Sequence, residues 1–198
     1  MSTLSEHLIA PVLSRPSAPT VPTVPSAERL NWLRAGVLGA NDGIVSVAAT
    51  VVGVAGATVG SGVLVVAGIA ALVAGALSMA AGEYVSVSSQ RDAERTMRAH
   101  GVVPEDTALT NPWHAALASL LSFLVGGVIP LLVVLAPLGA ARVPATFGAV
   151  VLALVLTGAV SARLGGSPTG RAVLRNVLGG SLAMAITYGI GSLVGLAV

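Results

Sequence analysis

Cysteine is absent from the chain. Its absence excludes a disulfide framework, a thiolate zinc site, a cysteine nucleophile and an iron–sulfur centre held by these 198 residues, while leaving the redox compartment open. Charge is also scarce, at 9% of residues, and aromatic side chains make up only 3%. Against these shortages stand 55% hydrophobic residues and 24 glycines, a composition with too little polar surface for a soluble domain of this length. The chain belongs in a bilayer. A pI near 9.9 does not point to nucleic acid, because the ten basic residues are all arginines and fall at loop ends. There they orient the chain.

Residues 1–28 read as a disordered tail, with five of the eleven prolines between Pro11 and Pro25, Ser and Thr between them and little apolar surface to pack. No basic run precedes the short apolar patch from Leu8 to Leu13, which itself contains Pro11, so a cleaved signal peptide is not expected. Beyond the tail, five stretches at about 20 residues or more are long enough to cross ~30 Å of hydrocarbon as helices. They cover 32–58, 63–88, 113–135, 143–162 and 173–197. The predicted fold class is an all-α integral membrane protein with five transmembrane helices. Breakers mark the connections: "GSG" at 60–62, "APLGAARVP" at 136–144 and "GGSPTG" at 165–170. Only the second connection, over 91–111, is longer.

Arginine placement sets the orientation. Arg15, Arg29 and Arg34 stand before or at the start of the first stretch, Arg91, Arg95 and Arg98 follow the second, and Arg163, Arg171 and Arg175 surround the fourth connection. Arg142 alone falls on the other side. This bias predicts a cytoplasmic N-terminus and an extracytoplasmic C-terminus. A four-crossing alternative, with the last stretch buried or re-entrant, is disfavoured because 176–198 carries no charge and is long enough to span. The segments "LRAGVLGA" at 33–40 and "LRNVLGG" at 174–180 align only after a one-residue shift and carry no repeat argument.

Two acids interrupt otherwise uncharged stretches: Asp42 in the first and Glu83 in the second. An ionised side chain in hydrocarbon costs roughly 3 kcal/mol on insertion scales, which makes each a functional-site candidate. Asp42 lies eight residues from Arg34 and Glu83 eight from Arg91. At ~1.5 Å per residue both sit about 12 Å inside the same face and are expected to share one site. Neither has a basic partner within its own stretch, so no ion pair close in sequence neutralises it. Met79, Glu83, Ser86 and Gln90 share a helical face, and so do Asp42, Ser46 and Thr50; facing each other, these stripes would line a path. Carboxylates alone suit magnesium or calcium, whereas adding a thioether favours a softer first-row ion such as iron(II) or manganese(II). Metal and proton compete for the same oxygens, so exchange of one for the other follows. Gly39 and Gly43 form a GxxxG pair suited to close helix packing. A second possibility for this segment is that Asn41, Asp42 and Gly43 loosen the helix and free carbonyls for an ion.

With these residues in view, the chain resembles the vacuolar iron transporter family, in its bacterial and nodulin-21-like branch. The resemblance lies in "LRAGVLGANDGIVSVAATVVGVAGA" at 33–57, "AGALSMAAGEYVSVSSQRDAE" at 74–94 and "NPWHAALASLLSFLVGGVIPLL" at 111–132, and more loosely in "GSPTGRAVLRNVLGG" at 166–180. It implies a five-helix homodimer that moves iron(II), often manganese(II) too, out of the cytosol in exchange for protons. It also places Asp42 and Met79 on the translocation path, with Glu83 matching the bacterial and nodulin-like branch. Metal ions and protons are then cargo, the partners are membrane lipid and a second copy, no cofactor is permanently bound, and nucleic acid is not a partner. A long glutamate-rich module found in many members between the second and third spans has no room here, and Glu94, His100, Glu105 and Asp106 read as ordinary residues of a short polar connection.

Two other classes compete. A metal-binding sensor or scaffold would use the same acids without transport. An intramembrane enzyme using two carboxylates is poorly served, since His7, His100 and His114 lie outside the spans or at an edge and no serine sits in a nucleophile motif. An arginine-only, alanine-rich composition favours a bacterial cell membrane; in a eukaryote the expectation would be a vacuolar-type membrane.

Overall fold

Each of the five apolar stretches becomes one helix. The computed structural model describes residues 27–57 and 60–197, with side chains from Asn31 onward. The tail expected over 1–28 lies, apart from its last two residues, outside the described residues. The helices are α1 (Ala27–Ala57), α2 (Ser61–Ala99), α3 (Pro112–Leu135), α4 (Arg142–Leu164) and α5 (Thr169–Ala197), with a short 3-10 turn at Gly139–Ala141 leading into α4. No strand occurs among the described residues. All five helices are long and apolar enough to cross a membrane, α5 included, as one unbroken helix of 29 residues.

The largest departure from the expected boundaries is in α2, which runs eleven residues past the expected end at Ser88. Residues 89–99 are rich in helix formers, and local pairs support them: Gln90 Nε2 donates to Glu94, and Arg95 pairs with Asp92. Much of the "short polar connection" is therefore helix projecting beyond the apolar core. It stops at Gly101, whose φ of +70° closes the helix, with Gly101 N–H donating to the Arg98 carbonyl and Val102 N–H to that of Met97. Gly166 (φ +62°) ends α4 the same way, with Ser167 N–H bonded to the Ala162 carbonyl.

Helix α1 is the hub. It touches each of the other four, which stand around it in chain order: α2 against α3, α3 against α4, α4 against α5. Helices α2 and α5 do not meet, so the ring is open there. The most extensive contact is between α1 and α3, where a Cβ added to Gly39 would strike the backbone of Ser119 and one added to Gly43 that of Phe123. The packing role of the glycine pair is thus realised. The loosening alternative is not, since α1 is continuous through Asn41–Asp42–Gly43. Core side chains from Ile44 to Val52 on α1 meet Phe123, Leu131, Val150, Leu154 and Met184.

One end gathers the N-terminus of α1, the C-terminal extension of α2, the start of α3 and the α4–α5 connection, with the arginines that flank them. At the opposite end Arg142 donates to the Ser61 hydroxyl, joining the starts of α4 and α2. This is the distribution the arginine bias predicts.

Candidate functional site

The register between α1 and α2 decides which candidate residues can meet. At the arginine-rich end, Asn31 Nδ2 donates to Gln90 Oε1 at 3.1 Å. Eleven residues separate Asn31 from Asp42 and eleven separate Gln90 from Met79, so in this antiparallel pair Asp42 and Met79 stand at one depth. A Cβ on Gly68 meeting Val51 at the far end keeps that register to within two residues, ~3 Å. Glu83 is only seven residues from Gln90 and therefore lies one turn, ~6 Å, nearer the arginine-rich end than Asp42. The expected equal depth of the two acids is corrected: the thioether, not the second carboxylate, is level with Asp42.

The surroundings of the acids differ as well. Glu83 is 6% exposed, and its Oε2 accepts from Arg34 at 3.0 Å in an ion pair between helices. Arg34 was expected only to flank the membrane; instead its half-exposed side chain reaches inward and supplies the partner that no residue of α2 could. Asp42 is half-buried and has no ion pair among the described residues; its Oδ1 accepts from the Ser46 hydroxyl at 2.9 Å. Thr50 turns its hydroxyl back to the Ser46 carbonyl. The faces of α1 taken by its neighbours (Gly39, Gly43 and Val47 toward α3, Val45, Gly53 and Gly56 toward α5) leave the Asp42–Ser46–Thr50 stripe looking into the gap between α2 and α5.

The remaining candidates separate. Met79 is partly buried against the core cluster. Gln90 is a structural link, accepting from Asn31 and donating to Glu94, and Glu94 in turn accepts from both the N–H and the hydroxyl of Thr110. This chain of bonds ties α1 and α2 to the entrance of α3, which Asn111 caps by accepting from Trp113 N–H. Ser86 is exposed, off the face that carries Glu83 inward. Asn41 lines a cleft against α4 and α5, away from the stripe. Among the described residues no three His, Cys, Asp or Glu side chains gather into a metal-holding group. One chain thus offers Asp42, the Ser46 hydroxyl and Met79, fewer donors than a transition-metal ion takes up.

Sequence reasoning missed the second role of Arg34 and the Asn31–Gln90–Glu94–Thr110 network. A signal was present for the first: Arg34 falls inside the apolar stretch that begins at Trp32, where an arginine needs a partner.

Comparison with known proteins bears on the whole membrane region. Residues 33–101 and 94–192 match the VIT family. The vacuolar iron transporter homolog 3 of Arabidopsis thaliana is 45% identical over 172 residues, covering 85% of this chain and 86% of its own. The vacuolar iron transporter homolog 1 of Oryza sativa subsp. japonica is 48% identical over 177 residues, covering 85% and 76%. The VIT-like transporter 1b of Glycine max is 38% identical over 179 residues, covering 85% and 78%. With five membrane-length helices and this extent of identity, the chain is an integral membrane protein that belongs to the VIT family.

Proposed function

We propose that this protein carries iron(II), manganese(II) or both out of the cytosol in exchange for protons, and that it is a transporter rather than an enzyme. The observation that carries this reading is Asp42, a half-buried carboxylate without a cationic partner among the described residues, level with the Met79 thioether and facing a gap in the helix ring. Its family supports transport: the relatives above are named as vacuolar iron transporter homologs or a VIT-like transporter.

The chemistry follows from the donors. A carboxylate with a thioether favours a softer divalent ion over calcium or magnesium. Two donors and a hydroxyl do not complete a coordination shell. The open side between α2 and α5 is where a second copy would bring an equal set, and the homodimer implied by the family resemblance supplies a reason for the gap. Once the ion leaves, Asp42 is the group to take a proton, since metal and proton compete for its oxygens. By the arginine bias the Glu83–Arg34 end faces the cytosol and the ion passes from there toward Met79 and beyond. The arginine-only, alanine-rich composition supports a bacterial cell membrane as its location.

The test is uptake of iron(II), manganese(II), zinc and calcium by proteoliposomes with and without a pH gradient. Flux of iron or manganese that rises with the gradient and vanishes in Asp42→Asn is the expected result. Metal binding without flux would replace transport by sensing, and gradient-independent flux would remove the proton step.

A further inference from the structure

The C-terminal half is charged in one sense only. No Asp or Glu follows Asp106, whereas Arg142, Arg163, Arg171 and Arg175 do. Arg163, Arg171 and Arg175 cluster where α4 ends and α5 begins, are exposed, and make no ion pair or side-chain hydrogen bond with any described residue. The cytosolic positive charge of α1 and α2 is different, for there Arg34 and Arg95 each have a carboxylate partner.

Beside this unpaired charge lies a cleft of about 630 Å³ between α1, α4 and α5. Arg175, Asn176 and Ser161 line it from α4 and α5, and Arg34, already engaged by Glu83, from α1. It adjoins a second groove of about 330 Å³ between α1 and α4, sharing Leu33, Val37 and Leu164 with the first. The second groove is walled by Leu156, Val160, Gly36 and Ala40, and its Thr157 hydroxyl is turned to the Ala153 carbonyl of its own helix. A largely apolar cleft that carries Arg175 and Asn176 at the inner-leaflet level therefore opens into a fully apolar slot running toward the membrane centre.

We propose that this pair of cavities binds an anionic phospholipid, its phosphate against Arg175 and its acyl chain in the slot lined by Val160. A positive surface without acids repels the divalent cargo, so the cleft is no second path for metal. Basic pockets between helices on the cytoplasmic side suit anionic headgroups, and the attached slot fits what a free phosphate lacks. The proposal is independent of the transport reading and stands or falls without it.

The experiment uses the full chain reconstituted in phosphatidylcholine vesicles containing a minority of phosphatidylglycerol, extracted in mild detergent, with retained lipid quantified by mass spectrometry. Phosphatidylglycerol enriched over its share in the vesicle is expected. Arg175→Gln should lower that enrichment about fivefold, the worth of one arginine near an anionic surface. Val160→Trp, a change at a half-exposed position that fills the slot, should lower it as well. Circular dichroism controls for folding in both. Retained lipid in the vesicle's own proportions, or enrichment untouched by either variant, overturns the proposal. Displacement by soluble glycerol phosphate would assign the cleft to a free anion instead. An oligomer that dissociates in Arg175→Gln while lipid retention holds would assign it to a second copy.

Discussion

Asp42 and Glu83 share a residue class, an apolar setting and a distance from the nearest arginine in sequence, yet the fold treats them oppositely. Glu83 is the more deeply buried and is neutralised by Arg34 across a helix contact; Asp42 is half-buried, hydrogen-bonded only to a hydroxyl, and faces the gap in the ring. A buried carboxylate held by a guanidinium is suited to stability and helix register. A carboxylate with no cation of its own is suited to receiving one. Under the proposed function, burial alone does not mark the working acid; the missing counter-charge does.

The sharpest break of this comparison is in flux. Asp42→Asn should bring metal uptake into proteoliposomes down to background while leaving helix content unchanged, and Glu83→Gln should retain a measurable part of it. Equal loss in both would merge the two acids into one site.

Stability separates them next. Arg34→Gln strands a buried carboxylate and should cost about 3 kcal/mol, because breaking a buried pair leaves an uncompensated charge. Glu83→Gln frees a half-exposed arginine that can turn to water, so its cost should be about 1 kcal/mol. The double variant should recover most of the difference. Thermal unfolding in detergent measures the cycle, and additive losses would show that Arg34 and Glu83 act independently.

Smaller effects sharpen the Asp42 side. Met79→Leu keeps volume and packing and should reduce iron and manganese uptake relative to calcium, since only the sulfur is lost. Ser46→Ala removes a single donor to Asp42 and should lower iron and manganese uptake a few-fold with little change in stability. An unchanged ion preference in the first, or unchanged uptake in the second, would detach that residue from the path.

Much of this was legible in the chain. Stretches of apolar residues and the breakers between them marked all five helices, most ends to within a few residues, because span length depends on contiguous hydropathy. The spacing of Gly39 and Gly43 announced a close contact, and the backbones of Ser119 and Phe123 fill it. The α2 extension was misread because a polar stretch was taken for a connection, whereas Ala, Glu, Arg and Met continue a helix whether or not lipid surrounds them. The stripe of Met79, Glu83, Ser86 and Gln90 was only partly right: helical periodicity groups residues on a face but does not say how far that face is covered, and Ser86 falls at its exposed edge.

Alone, the order of residues determined the membrane setting, the helix count, the arginine-rich end and the presence of two acids in apolar surroundings, since each depends on residues adjacent along the chain. Tertiary structure decided that Arg34 belongs to Glu83, that Met79 rather than Glu83 is level with Asp42, and that the α2–α5 side stays open. Those outcomes depend on the sliding register and rotation of helices whose partners lie 49 or more residues apart, which close glycine contacts set and local pattern does not encode.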